Sequence, residues 1–462
     1  MLTARRPASL PDKPPIEKAL TPSALAIRSR EQLSRRRFGS ARRAKRPMGQ
    51  SRSRLSFSRR NQSDRLSLKR STDSKKPSSS MSSTSPSRSK SARVPIYVLD
   101  TLRDPDLLME NWSVLADLDY QRQHAMRESL VRTHYAKPPE IARYSVTQAG
   151  ENKNRNRYQN VAPYDLNAVR VGEDMFGPGR GMYLNASWVR ERAGGALWIA
   201  SQAPLPNTHF EFLALCTDMT PKEKRVRTIV QLTPWVEKKF QAAHPYFPNR
   251  LGESIVISRV PQSPDEPLGL RSRLRVTVAR ERLIAEADCF IRSLEITYED
   301  WPGRGPMFEV RHLAYDSWAD HGVPNSPSTA YHLALLADRC NRMPHTPEPG
   351  KEVDPTPPPI LVHCSAGVGR TGTFIAMSSL LRSLGILPPA ARPPWDTYTP
   401  ESSAVTPQAD QLPEDDQVVQ EVNALREQRT LMVQMPDQME FIYGILAAAL
   451  SGKFEGPPPP SA

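Results

Sequence analysis

The chain has 462 residues, 38% of them hydrophobic, and a formal net charge of +14 at pH 7, which describes one large domain with appendages and excludes a chain with no core. Its four cysteines, Cys216, Cys289, Cys340 and Cys364, form no CxxC pair and no zinc-type spacing, so a disulfide scaffold and a structural zinc module are excluded. The longest apolar stretch, residues 441–450, is too short to span a bilayer.

The charge is unevenly placed. Residues 1–95 carry 25 Lys and Arg against 5 Asp and Glu, a net of +20, while the remainder carries 38 against 44. This segment is Ser, Arg, Pro and Lys with few aromatics. It cannot bury enough apolar area to offset chain entropy, and it is expected to be a disordered basic tail. Three readings of the tail stand side by side. It is a solvated tail, or a nuclear-import or anionic-surface segment built on Arg35–Arg37, Arg42–Arg46 and Arg59-Arg60, or a docking peptide. The third takes Arg59-Arg60 with Leu66 and Leu68, which resembles the docking motif of phosphatases that act on mitogen-activated protein kinases. Nucleic acid is not an expected partner, because no aromatics interleave the basic residues. Prolines and length argue against a mitochondrial presequence, and no apolar segment resembles a signal peptide. The expected location is cytoplasmic, with nuclear entry open.

Order is expected to begin near Asp104, an N-cap, with Pro105 at the first helical position and Leu108, Trp112, Leu115 and Leu118 following at helical spacing. Strands are expected at 197–201, 227–232, 254–260, 274–278, 290–298, 308–315 and 360–363. Helices are expected at 208–218, 329–340, 372–384, 415–427 and 436–450. This order implies an α/β (α+β) domain over residues 96–455, with a central mixed β-sheet flanked by helices. Pro-rich stretches at about 343–359 and 388–413 read as surface loops, and 456–462 as a disordered Pro-rich C-terminus.

The densest chemical signal is Pro359-Ile-Leu-Val-His-Cys364-Ser-Ala-Gly-Val-Gly-Arg370-Thr371. An apolar strand runs into a glycine-containing loop and then a helix. Such a loop points backbone N–H groups at one spot, aided by the positive end of the helix dipole, and makes an anion cradle. Gly367 and Gly369 let the backbone wrap closely. Ser365, Ala366, Val368 and their neighbours supply amides, and Arg370 offers a bidentate fork to two phosphate oxygens. The same field lowers the Cys364 thiol toward the range of activated cysteines, so a thiolate faces the bound phosphorus. Thr371 places a hydroxyl near the sulfur, and His363 is expected to position the loop. At the same six-residue offset the other cysteines have Lys222, Glu295 and Thr346.

This segment resembles the signature loop of cysteine-based protein tyrosine phosphatases of the cytosolic, non-receptor type. Further motifs of that family stand in order. Asn154–Tyr158 resembles the phosphotyrosine-recognition loop, and Tyr183–Ser187 with Trp198–Thr208 resemble buried structural motifs. Trp318-Ala-Asp320-His-Gly-Val-Pro324 resembles the movable acid loop, and Leu425–Arg429 with Gln434–Gln438 the closing helix and glutamine loop. The resemblance implies hydrolysis of phosphotyrosine in proteins through a cysteinyl-phosphate, with no metal and no cofactor. It implies that Tyr158 sets pocket depth, Asp320 is the general acid, Gln434 and Gln438 orient water, and Glu237 fixes Arg370. Two departures bear on details. Ala319 stands where the family has proline, which removes a fixed φ from the acid loop. Asn160 stands where an aspartate commonly clamps the substrate main chain, and an amide offers a single uncharged acceptor oxygen. These departures motivate one alternative, a catalytically weak phosphotyrosine-binding scaffold; a dual-specificity phosphatase is a further reading, which would lack the Tyr158 loop.

Overall fold

The computed structural model describes residues 93–131, 137–177, 181–262, 269, 271–344, 354, 356–392 and 412–454. The tail, the C-terminal Pro-rich segment and most of both Pro-rich insertions lie outside the described residues.

The described chain opens on helix α1 (Ile96–Arg103), then α2 (Pro105–Val131). Order therefore begins ahead of Asp104, because Val98 and Thr101 of α1 are buried, a short pattern with too little period to read. Asp104 Oδ1 accepts from the N–H groups of Asp106 and Leu107, at 3.0 and 3.3 Å, as an N-cap should. Buried Leu108, Leu115 and Leu118 of α2 enter the main core, with half-buried Trp112 packed against it.

Nine strands form one sheet: β1 (Ala168–Val171), β2 (Met182–Arg190), β3 (Leu197–Ser201), β4 (Thr228–Gln231), β7 (Ser254–Ser258), β8 (Arg273–Ile284), β9 (Cys289–Tyr298), β10 (Met307–Ala314) and β11 (Ile360–His363). Their order is β1-β2-β3-β11-β4-β10-β9-β8-β7, and a separate hairpin pairs β5 (Val236–Glu237) with β6 (Phe240–Gln241). The central strands β3, β11, β4 and β10 are mutually parallel, and the outer pairings are antiparallel.

Parallel strands are covered on both faces and so read as apolar runs. In β11, Ile360 and Val362 belong to one core and Leu361 to the other. Helices α4 (Pro327–Arg342), α5 (Gly369–Ser383), α6 (Gln417–Arg426) and α7 (Pro436–Leu450) pack on the first face, and α3 (His209–Ala214) lies on the second.

The structure corrects several boundaries. Two strands, β1 and β2, were not expected: β1 is only four residues long, and β2 carries no clean alternation, since Asn185 and Ser187 are buried among its apolar residues. Strand β8 runs six residues past its expected end, through a bulge between Val278 and Arg280 into exposed, charged positions. The helix expected over 208–218 is α only at His209–Ala214. Helix α5 starts at Gly369, three residues early, so Arg370 lies in its first turn.

Candidate active site

Strand β11 ends at His363, and α5 begins at Gly369. The loop between them lies beyond the carboxyl ends of the parallel strands, where this sheet type opens a crevice. Gly367 has φ of +75°, and a Cβ there would sit 2.1 Å from Ser201 O. Only glycine lets the loop lie this close to β3. Gly367 N–H points at Cys364 Sγ, 3.2 Å away.

All four cysteines are buried, yet their thiols differ. Burial pushes Cys340 up to about 11 and raises Cys216 and Cys289 further still. Burial also raises Cys364, but the Arg370 guanidinium, the hydroxyl and N–H of Thr371 and the N–H of Gly367 outweigh it and bring the thiol below its ordinary value. The Thr371 hydroxyl is buried and makes no hydrogen bond of good geometry, so its effect on the sulfur is one of proximity.

Arg370 is 2% exposed. Its Nη1 donates to Glu237 Oε1 and, at 3.0 Å, to Trp318 O. Its Nη2 donates to Glu237 Oε2 and Asp320 Oδ1, both at 3.2 Å. Glu237 of the β5–β6 hairpin thus meets the guanidinium with both carboxylate oxygens.

The 318–324 loop is pinned by its tryptophan. Trp318 is fully buried and its Nε1 donates to Gly322 O at 3.0 Å, while Gly322 N–H donates to Ala319 O at 3.1 Å. His321 takes a φ of +54° inside that turn. Asp320 projects at the turn, its side chain 44% exposed and within 3.7 Å of His321 Nε2. Gln438 Nε2 donates to the same Gly322 oxygen at 3.2 Å, and its Oε1 accepts from the N–H groups of Gln434 and Met435. The side chain of Gln438 therefore joins the start of α7 to the 318–324 loop. A Cβ added at Gly369 would lie 3.1 Å from Gln434 Oε1 and 3.2 Å from Gln438 Nε2, so both amides sit over the first residue of α5.

His363 is fully buried, and burial brings it down to about 4, so it is neutral at pH 7. Its Nδ1 lies 3.0 Å from Cys364 O, which can only accept, so Nδ1 carries the proton. Nε2 then accepts from Tyr246 Oη at 2.9 Å, and His312 Nε2 donates to the same phenol at 2.8 Å. The histidine positions the loop through a buried chain of donors and does not titrate near neutrality.

Tyr158 Oη donates to Ser365 Oγ at 2.8 Å, since Ser365 gives its own proton to Ala242 O at 2.7 Å. Tyr158 is 41% exposed and stands on one wall of a cleft of about 500 Å³, lined also by Arg157, Lys238, Phe240, Asp320 and Ser365. Asn160 is exposed two residues on, outside these contacts.

Sequence reasoning gave no role to Arg429 and missed Tyr246. Arg429, fully buried, donates to Gly367 O, Ala366 O, Ser187 Oγ and Asn185 Oδ1, at 2.8, 3.1, 3.2 and 2.9 Å. Burial brings it down to about 10. By taking the loop carbonyls outward it turns the loop's N–H groups toward the cradle. The signal for it was the pair of polar residues, Asn185 and Ser187, inside an otherwise apolar strand.

The family profile described as protein-tyrosine phosphatase matches residues 152–386, and a Swiss Army Knife protein, DSP-PTPase phosphatase domain profile matches 331–442. The chain is similar to receptor-type tyrosine-protein phosphatase eta of Gallus gallus, 30% identical over 51% of this chain and 14% of that protein. It is 31% identical to human receptor-type tyrosine-protein phosphatase H over 68% of this chain and 22% of that one. It is 29% identical to tyrosine-protein phosphatase 1 of Saccharomyces cerevisiae over 65% of this chain and 84% of that one. The chain thus spans under a quarter of the length of those two receptor-type relatives. Its fold resembles a solved structure of PTPN18, with a TM-score of 0.51 and 23% identity over 77% of this chain and 99% of that one; PTPN18 has also been solved with HER2-pY1196 phosphopeptides.

Proposed function

This chain belongs to the protein-tyrosine phosphatase family, and on that premise we propose that its site hydrolyses phosphotyrosine in proteins through a cysteinyl-phosphate at Cys364. One observation carries the reading. Of four buried cysteines, Cys364 alone is lowered, and it lies directly after β11, in the loop that leads into α5, beside a buried arginine held by a carboxylate.

In the first step the phosphate sits in the 364–370 loop, on the inward N–H groups and Arg370. Its negative oxygens take the guanidinium edge that now faces Asp320. Cys364 Sγ gives its electron pair to phosphorus as the bond to the phenolic oxygen breaks. Asp320 donates the proton that this oxygen needs, because a phenolate of pKa about 10 leaves poorly at neutral pH. In the second step Asp320 takes a proton from water, the water oxygen bonds to phosphorus, and the thiolate leaves, stabilised by Thr371 and the Gly367 N–H. Gln434 orients that water, a role supported by its amide lying over the first residue of α5. The Tyr158 ring sets the depth, so a phosphoserine falls short of the sulfur.

A dual-specificity reading has one observation in its favour, the profile match over 331–442. That match contains the signature loop but not Tyr158, which supports the tyrosine-directed reading. Asn160 and Ala319 keep the binding-scaffold reading as the alternative. Partners proposed are phosphotyrosine proteins and, through the basic segment 1–95, a mitogen-activated protein kinase, in the cytoplasm and nucleus. The test is turnover of p-nitrophenyl phosphate, a phosphotyrosine peptide and a phosphoserine peptide by purified protein and by Cys364→Ser. Cys364-dependent turnover of the first two alone is expected. Equal turnover of the phosphoserine peptide overturns the specificity, and binding without turnover of any substrate leaves the scaffold.

A further inference from the structure

The β5–β6 hairpin holds Glu237 against Arg370, and its turn is built from residues poorly suited to it. Lys238 and Lys239 have φ of +45° and +74°. A two-residue hairpin with both central φ values positive favours Asn-Gly or Gly-Gly, whose side chains tolerate that backbone. Non-glycine residues there hold backbone strain, and such strain gathers where side chains serve a ligand.

The surroundings say which ligand. Lys238 and Phe240 line the cleft with Tyr158, Asp320 and Ser365. The anionic groups of this cleft, Glu237 and Asp320, face Arg370. Arg157 donates to the carbonyls of Ala203, Pro204 and Gln241 and to His244 Nδ1. Lys238 and Lys239 are exposed and make no ion pair among the described residues. Beside them Phe240 is 71% exposed and Val236 55%. On the Tyr158 side, Gln159 and Asn160 are exposed and uncharged. Arg157 on that side is half-buried and engaged with carbonyls and His244, so exposed positive charge next to an exposed apolar ring stands on the hairpin wall.

We propose that the 237–240 hairpin reads the substrate's sequence, with Lys238 taking an acidic side chain close to the phosphotyrosine and Phe240 packing on an apolar one beside it. The inference rests on the phosphatase reading of the site, and the experiment separates the two. Two phosphotyrosine peptides are compared, one with aspartates flanking the phosphotyrosine and one with asparagines, on wild type, Lys238→Gln and Lys238→Arg. An exposed ion pair implies a kcat/KM ratio of up to about fivefold in favour of the acidic peptide for wild type. The ratio should shrink as salt rises, fall to about one in Lys238→Gln and persist in Lys238→Arg. Wild-type turnover of p-nitrophenyl phosphate, which has no flanking residues, reports on the chemistry alone. If it is turned over while wild type shows no preference, or Lys238→Gln keeps the preference, this inference falls and the phosphatase reading stands. If nothing is turned over, the phosphatase reading falls and takes the inference with it.

Discussion

Within the loop that follows β11, position decides reactivity. The three cysteines raised by burial are held as thiols, while Arg370, Thr371 and Gly367 hold Cys364 toward the thiolate. Thiolates oxidise first, so mild peroxide should inactivate the protein by converting Cys364 to a sulfenic acid or sulfenamide, and a thiol should restore it. Mass spectrometry after graded peroxide should find Cys364 modified before Cys216, Cys289 or Cys340, and vanadate should protect it. Equal labelling of all four would contradict the electrostatic account. Asp320→Ala should slow turnover of a phosphotyrosine peptide by about 10²–10⁴-fold, the usual contribution of a positioned acid, while leaving substrate binding in place. Steady-state and binding measurements separate these effects, and an unchanged rate would assign the proton to another group. Cys364, Arg370 and Thr371 were legible from the strand–loop–helix pattern alone. Arg429 and Tyr246 were not, because their action depends on carbonyls and ring nitrogens brought from distant strands and loops.

Elements set how firmly these side chains are held. Glu237 lies on a two-strand hairpin of its own, so its grip on Arg370 is independent of the main sheet. Glu237→Ala removes charge-assisted bonds of about 1.5–3 kcal/mol each, and kcat/KM should fall by at least about tenfold. Circular dichroism should show the fold intact, and full activity in this variant would mean that the pair is incidental. The acid loop has no proline at 319, but Trp318, Gln438 and Arg370 each bond to its backbone. That substitution could be read in the sequence, whereas the compensating bonds could not, since they come from α5, from α7 and from the fold of the loop on itself. Helix α5 was expected to start three residues late because Gly369 and Arg370 carry no apolar signal, and those residues are the ones that face the cradle. Strand β2 was hidden for a related reason: its buried Asn185 and Ser187 serve Arg429 and break the apolar pattern.

Over the whole domain, the central parallel strands were legible as apolar runs, and the outer strands only where charge did not mask them. Burying a site this deep also makes the fold acid-sensitive. His363 and His209 are each brought down to about 4, mainly by burial, and burial lowers His312 well below its ordinary value too. Above pH 6.5 such a histidine is neutral in both folded and unfolded chains and contributes no pH dependence. Below it the unfolded chain binds a proton that the folded chain refuses, so stability falls as pH drops from about 6.5 toward 4. Glu421, raised by burial to about 7, acts in the opposite sense over the same range. Denaturant unfolding of wild type and His363→Gln across pH 4–7 should show a shallower decline in the variant, by up to about 3 kcal/mol at the acid end. Parallel curves would mean that His363 is charged in the fold. The central claim, that phosphate passes through Cys364, is tested most directly by rapid-quench mass spectrometry during turnover of a phosphotyrosine peptide. The account predicts one phosphoryl group on the peptide containing Cys364, formed and consumed within the turnover, and neither adduct nor turnover in Cys364→Ser. Phosphate release with no adduct at Cys364, or turnover that survives Cys364→Ser, would contradict it.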